Sequence, residues 1–361
     1  MNKHVRRNIA VIVAAGVLLA AGAWLTAGPG GQAGEKGVRL VRDDAKQRVD
    51  VYVDGQPFTA YIYPETGKKP VLFPIRSAKG TLVTRGFPLE PRPGERVDHP
   101  HHIGLWFNYG DVNGTDFWNN SDAVKPEERP KFGTIVHKAV TAVRSGADKG
   151  ELEVDMDWML ADGKGPVVLK EHTVFVFRGA AGWRSVDRIT RLQALDARVA
   201  LTDNKEGVLG LRVARQLEIP SKGSGVFTDA SGKATKVPEM DNTGVNGDYL
   251  TSEGKTGDAA WGTRGRWCIL SARIGDEPVT IAILDHPSNP GYPTYWHARG
   301  YGLFAANPLG QKALSNGKDE LNLALEPGKS VTFRHRILIL SEPAGAERAE
   351  AASKEFAAAY R

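Results

Sequence analysis

The stretch VDVYVDGQPFTAYIY, residues 49–63, decides the fold. Two runs alternate apolar and polar residues, as strands with one buried face must, and Asp54-Gly55 stands between them. Asp-Gly takes the left-handed backbone of a two-residue turn at low cost, so the stretch predicts an antiparallel hairpin. Similar runs recur downstream: GTIVHKAVTAV (133–143), GELEVDMDWML (150–160), VVLKEHTVFVF (167–177), WRSVDRITRLQAL (183–195), VLGLRVARQLEI (208–219), WCILSARI (267–274), VTIAILDH (279–286) and SVTFRHRILIL (330–340). Glu151, Glu153, Asp155 and Asp157 fall on one face of a strand, expected to meet solvent because four carboxylates are costly to bury. One segment, AGAERAEAASKEFAAAYR (344–361), reads as a helix, with Phe356 and Tyr360 spaced to dock it. The expected fold is all-β, a large antiparallel β-sandwich with a C-terminal helix.

The 361 residues suffice for a core without staples, and the single cysteine, Cys268, excludes an intramolecular disulfide or a Cys-rich zinc site. The net charge of +5 is concentrated at the N-terminus. Without Lys3, Arg6 and Arg7, 44 basic residues face 42 acidic ones, which leaves no electrostatic footprint for nucleic acid. MNKHVRRN followed by the apolar run Ile9–Ala27 reads as a signal peptide, or as an N-terminal anchor if uncleaved. Either places the folded part in the periplasm or outside the cell, with the membrane touched only through that segment. The expected organisation is 1–27 signal or anchor, 28–36 Gly-rich linker, 37–342 sandwich and 343–361 helix. Residues 221–265, rich in Gly, Ser, Thr and Asp, read as a long excursion from the sandwich.

Chemistry concentrates in DHPHHIGLWFNYGDVNGTDFWNN, residues 98–120. Read as extended chain, it puts His99 and His101 on one face, and His102 with Trp106 on the other. Asn108, Asp111, Asn113 and Trp118 follow. A second block, ILDHPSNPGYPTYWHARGYGLFAANPLG (283–310), places His286, Trp296, His297, Arg299 and Asn307 where an apolar strand ends. In LKEHTVFVF, Glu171 and His172 must face opposite ways. In TDNKEGVLGLRVA (202–214), Lys205, Glu206 and Arg212 surround a Gly-rich turn that an exposed salt-bridged hairpin explains equally well. Arg76 and Arg85 are weaker candidates. No G-x-S-x-G elbow, H-E-x-x-H, phosphate loop or dinucleotide fingerprint occurs.

These blocks together resemble the PmoA-like domain family, a family often labelled "methane oxygenase" and otherwise of unknown function. The resemblance runs from roughly residue 70 to 340. Methane oxidation is rejected, because a membrane subunit needs several long apolar spans and this chain has one. His172 departs from the family, where an arginine is expected near that strand position. The family is similar to the galactose-mutarotase-like β-supersandwiches. That resemblance implies sugar chemistry in a cleft across one sheet, performed by His with Glu or Asp.

The preferred reading is therefore an exported carbohydrate-active enzyme, mutarotase-like or a glycoside hydrolase or lyase. Proton transfer needs a group to take a proton and one to give it. His102 or His297 is the expected acid and Glu206 the expected base. His99, His101, Asn108, Asp111, Asn113, Glu171, His286, Arg299 and Asn307 would hold the substrate, and Trp118 or Trp296 would cover a ring face. Two alternatives stay open: a non-catalytic glycan-binding protein, and a metal-dependent enzyme using His99, His101 and a distant histidine such as His286. No cofactor is called for, and a divalent metal is left open.

Overall fold

The computed structural model describes residues 36–360. The segment 1–27 and all but the end of the linker lie outside the described residues. Two eight-stranded antiparallel sheets pack on each other. The first runs Val38–Asp43, Arg48–Val53, Gln56–Ile62, Val71–Leu72, Leu105–Tyr109, Gly207–Arg212, Leu303–Asn307 and Tyr295–Arg299. The second runs Asp248–Thr251, Trp267–Ile274, Glu277–Asp285, Ser330–Leu340, Trp183–Ala194, Val167–Ala180, Gly150–Met159 and Thr134–Arg144. The all-β sandwich expectation is met.

The opening hairpin forms as read. Val53 pairs with Gln56, and the turn residues Asp54 and Gly55 have φ of 50° and 73°. The acidic face of Gly150–Met159 is matched by basic side chains rather than left bare. Arg144 meets Glu151 and Glu153, His172 meets Asp155 at 2.8 Å, and Lys170 meets Asp157 at 2.6 Å. The C-terminal helix, Ala346–Ala359, lies on the outer face of the second sheet, where Phe356 packs with Trp267, Leu284 and Leu338. The segment 221–265 is more ordered than its composition suggests. Gly225–Thr228 and Ala234–Val237 form a two-stranded ribbon, and Asp248–Thr251 buries Tyr249 and Thr251 as an edge strand.

Three expected site residues belong to this framework. Trp296 is fully buried in the core between the sheets, 6.3 Å from Phe304, because alternation turns it away from the face that His297 takes. It is no stacking platform. His286 sits under the C-terminal helix, its ring 5.2 Å from Phe356 and its Nδ1 accepting from Ser288 N–H at 3.1 Å. Glu171 is buried on the inner face of the second sheet. Its carboxylate accepts from Trp158 Nε1 at 2.7 Å, Thr173 Oγ1 at 2.6 Å and Arg188 Nη2 at 2.6 Å. Arg188 in turn lies 5.0 Å from the rings of Phe107 and Phe175.

Glu171 is thus the counter-ion of a core arginine. Breaking such a pair strands a buried charge, so Glu171→Ala is expected to lower stability by about 3–5 kcal/mol. Urea unfolding monitored by tryptophan fluorescence checks this; a loss well under 1 kcal/mol contradicts the assignment.

Candidate functional site

The outer face of the first sheet carries a row of residues graded by size, its members all buried. Register aligns Trp106, Gly210, Ala305 and His297 across four neighbouring strands. Large side chains stand at the two ends and small ones lie between them. Gly210 must be glycine, since a Cβ there would lie 2.3 Å from the Trp106 ring. Two residues along, on the same face, Arg212, Leu303 and Arg299 form a parallel row.

The histidine-rich stretch is not extended, which corrects the face assignment made from alternation. His102 N–H donates to His99 C=O at 2.9 Å and His99 has φ of 41°, so the chain makes a tight turn. The turn brings all three imidazoles together. Ring centroids lie 4.8 Å apart for His99 and His102, 4.3 Å for His101 and His102, and 5.7 Å for His99 and His101. His102 also stacks on Trp106 at 5.2 Å, and His99 stacks on Tyr301 at 5.0 Å. Trp118 closes the column from the side, 5.2 Å from Trp106.

Two buried arginines hold this turn, and composition hid both. Arg85 donates to the carbonyls of Asp98 at 2.9 Å, His99 at 3.0 Å and His102 at 3.1 Å, and to Asp98 Oδ1 at 2.5 Å. Arg212 donates to the same Oδ1 at 2.6 Å. The Lys205–Arg212 segment is therefore no exposed hairpin at its far end, where Arg212 is fully buried. Burial alone would raise the Asp98 carboxyl, but His99, Arg212 and Arg85 outweigh it and hold it well below the usual range. Burial, with Arg212 beside it, brings Arg85 down to about 9.

Arg212 also sets the state of His102. Its Nη1 lies 3.3 Å from His102 Nδ1, and because a guanidinium only donates, Nδ1 must accept. The proton of neutral His102 is then on Nε2, an N–H sealed from solvent with no partner among the described residues. Burial and the neighbouring His101, Arg212 and His99 push its pKa well down. His101 falls to about 2 through burial and the Lys69 charge. Lys69 is itself buried, donates to His101 C=O at 2.8 Å, and is brought down to about 7.

The second chemical group stands at the other end of the row. His297 Nδ1 lies 3.8 Å from Glu206 Oε2, and Lys205 Nζ lies 3.0 Å from Glu206 Oε1. Burial, Lys205 and Arg299 bring His297 down to about 3. The turn bearing Glu206 is braced from three sides. Asn307 donates to Asn204 C=O and Lys205 C=O, each at 2.9 Å. Asn204 N–H donates to Tyr109 Oη at 2.8 Å, and Glu206 N–H to Asn204 Oδ1 at 2.9 Å. Asn307 is thus a positioning residue for Glu206.

Of the expected site residues, the structure groups His99, His101, His102, Glu206, His297 and Arg299 on this face, whereas Trp118 is fully buried against Trp106 and cannot cover a ligand's ring. Asn108 shares the face but is fully buried, donating to Phe117 C=O at 2.7 Å. Asp111 accepts from Gly114 N–H at 2.9 Å and Asn113 from Ala200 N–H at 2.8 Å, so both are turn-formers. With His286 beneath the C-terminal helix, the trio His99, His101 and His286 is not assembled. No group of three His, Cys, Asp or Glu side chains suited to a metal occurs among the described residues. Sequence reasoning missed Tyr301 and Lys69 and undervalued Arg85 and Arg212. A cleft of about 410 Å³ opens beside Arg299 and Tyr301, walled by Trp261 and Arg96. A larger cleft, about 580 Å³, lined by Arg92, Arg215 and Glu239, lies apart from the histidines and is not the site favoured by this chemistry.

Fold and site together define a β-sandwich protein with a His, Glu and Arg cleft on one sheet. Residues 48–354 match the model described as "Family of unknown function (DUF6807)", and the chain belongs to that family, whose description carries no methane-oxygenase label. Similar solved structures include the galactosidase domain of an alpha-galactosidase–sucrose kinase, at 11% identity and a TM-score of 0.41, covering 84% of this chain and 42% of that one. The chain thus spans less than half the length of that structure's chain. Another is galactose 1-epimerase from Lactobacillus acidophilus NCFM, at 10% identity and a TM-score of 0.33, covering 86% and 100%. No curated protein matches the sequence.

The buried histidines give the native state a defined pH response. His101, His102 and His297 stay neutral when folded but charge near pH 6.5 when unfolded, so the unfolded state takes up more protons as pH falls. Their contribution is complete above 6.5 and is lost on acidification, at about 1.4 kcal/mol per pH unit for each. Asp285, raised to about 7 by burial, acts in the opposite direction between 3.8 and 7 and offsets one of them. The melting temperature is expected to fall steadily from pH 6.5 to 4.5. A calorimetric series over that window tests it, and a flat profile contradicts the neutral assignment.

Proposed function

We propose that the protein is a carbohydrate-active enzyme that moves protons at a sugar's anomeric centre or glycosidic bond. One observation carries this reading. Glu206, bonded by Lys205, faces buried His297 at 3.8 Å at one end of the row on the outer face of the first sheet. Glu206 is the base. Neutral His297, with an unpartnered Nδ1, receives the hydrogen of the protonated carboxyl and so steadies the acid form. His102, the other candidate acid, is sealed behind His99. We assign the opposing proton donor to His99, whose side chain is 39% exposed and whose Nδ1 lies 3.3 Å from Asp98 Oδ2. Asp98 anchors that nitrogen and leaves Nε2 for the ligand. Tyr301, stacked on His99, offers a hydroxyl on the same side.

Export belongs to the same reading, on the strength of residues 1–27. A non-catalytic glycan-binding role would use the same aromatic walls. It has no need of the Glu206–His297 pairing.

Turnover decides between them. Anomer exchange by NMR and release of reducing ends are expected with at least one sugar class. Glu206→Gln is expected to lower kcat about 10²–10⁴-fold, and His99→Ala to reduce it strongly as well. Both variants should melt within a few degrees of the parent. Binding by the wild-type chain without turnover assigns it to the glycan-binding class, and unchanged rates in both variants remove the proposed site.

A further inference from the structure

Arg299 differs from every other arginine near the site. Arg85 and Arg212 are bonded to Asp98, and Arg96 and Arg215 to Glu218. Arg299 has neither a hydrogen-bond nor an ion-pair partner for its guanidinium among the described residues. It is held instead by ring faces, 5.4 Å from the centroid of Trp261 and 5.7 Å from that of Tyr301. Aromatic faces fix a guanidinium in place while leaving its N–H edges free. A cation positioned in this way has its orientation settled before a ligand arrives.

The carboxylates nearest the site are already engaged by cations. Asp98 Oδ1 already receives two guanidinium bonds, Glu206 is bonded by Lys205, and Glu218 accepts from Arg96 and Arg215 at 2.6 Å each. Two buried donors, Trp106 Nε1 and His102 Nε2, have no partner among the described residues, and neither do the acceptors Asn108 Oδ1 and Glu218 Oε1. A neutral sugar presents hydroxyls, which seek acceptors as well as donors. A carboxylate accepts only. Beyond burial, Lys205 and Arg299 both help to depress His297, so their positive field reaches the His297 end of the row. Asp258 lines the adjoining cleft but forms no ion pair with Arg299 among the described residues.

We infer that the ligand is a sugar acid, its carboxylate bound by the Arg299 guanidinium in the cleft between Trp261 and Tyr301. This rests on the sugar reading above and narrows it to anionic substrates such as uronates. The cleft's volume of about 410 Å³ lies in the range of small-molecule pockets, roughly 300–1,000 Å³. Arginine matches a carboxylate with two parallel N–H bonds, so the charge and the planar shape are read together.

The test is calorimetric titration of the full chain with D-glucuronate, D-galacturonate, their methyl esters, D-glucose and D-galactose. The wild type is expected to bind an acid about ten- to hundredfold more tightly than its methyl ester. In Arg299→Gln that ratio should fall towards one, and in Arg299→Lys it should lie between, since a lysine keeps the charge without the fork. Trp261→Ala, at a side chain that is partly exposed, guards against misfolding of the arginine variants and should reduce the ratio as well. High salt should weaken the acid more than the ester. An ester or hexose bound as tightly as the acid, or a ratio unchanged in Arg299→Gln, overturns the inference while leaving the sugar reading in place. Failure of all six compounds to bind overturns both.

Discussion

The Asp98 carboxylate, shared by Arg85 and Arg212, is the interaction on which the rest of the site depends. Three consecutive facts follow from it. Arg85 fastens the carbonyls of the 98–102 turn, so the imidazoles converge instead of alternating. Arg212 fixes the tautomer of His102. Asp98 Oδ2 also lies 3.3 Å from His99 Nδ1, beside the most exposed of the three rings. Two arginines around one carboxylate leave a surplus positive charge, which the backbone carbonyls of the turn offset in part through Arg85. Loss of the shared acid would leave two buried cations side by side, a case in which the desolvation cost is no longer offset.

The sandwich supplies the platform through side-chain size and alternation. On the inner face, Phe107, Leu209, Ala306 and Trp296 join the main core. Displaced by one residue, Trp106, Gly210, Ala305 and His297 form the outer row. The same strands therefore serve both stability and chemistry, with no residue doing both. The second sheet contributes support from behind. Its Glu171–Arg188 pair, wrapped by Phe107 and Phe175, settles a charge in the core without opening a path to the surface.

Much of the fold was legible in the sequence because strand periodicity and turn chemistry are local. Asp54-Gly55 and the Ala-rich C-terminus each specify their conformation within a few residues. The site was legible only as a set of blocks. Trp296 and His297 are neighbours on a strand, so only one can lie on the outer face, and the pattern alone does not say which. The histidine turn was misread because Pro100 and the two arginines, not alternation, determine its path. Arg85 and Arg212 lie 127 residues apart in sequence, and their common partner is a long-range fact. A useful signal was nevertheless present. Arginines inside apolar strand segments, as in VLGLRVA, need a buried acid, and Asp98 opens the richest stretch of the chain.

The brace around Glu206 and the wall formed by Trp261 have different standing in the architecture. Glu206 is tied through Asn307, Asn204 and Tyr109 to three adjoining strands, so its position cannot drift without disturbing the sheet. Trp261 comes from a connecting segment, where insertions and replacements are accommodated at little cost. The two are thereby assigned to parts of the molecule with unequal freedom to vary. A descendant of this chain could rebuild the loop that bears Trp261 while inheriting the Glu206 brace intact.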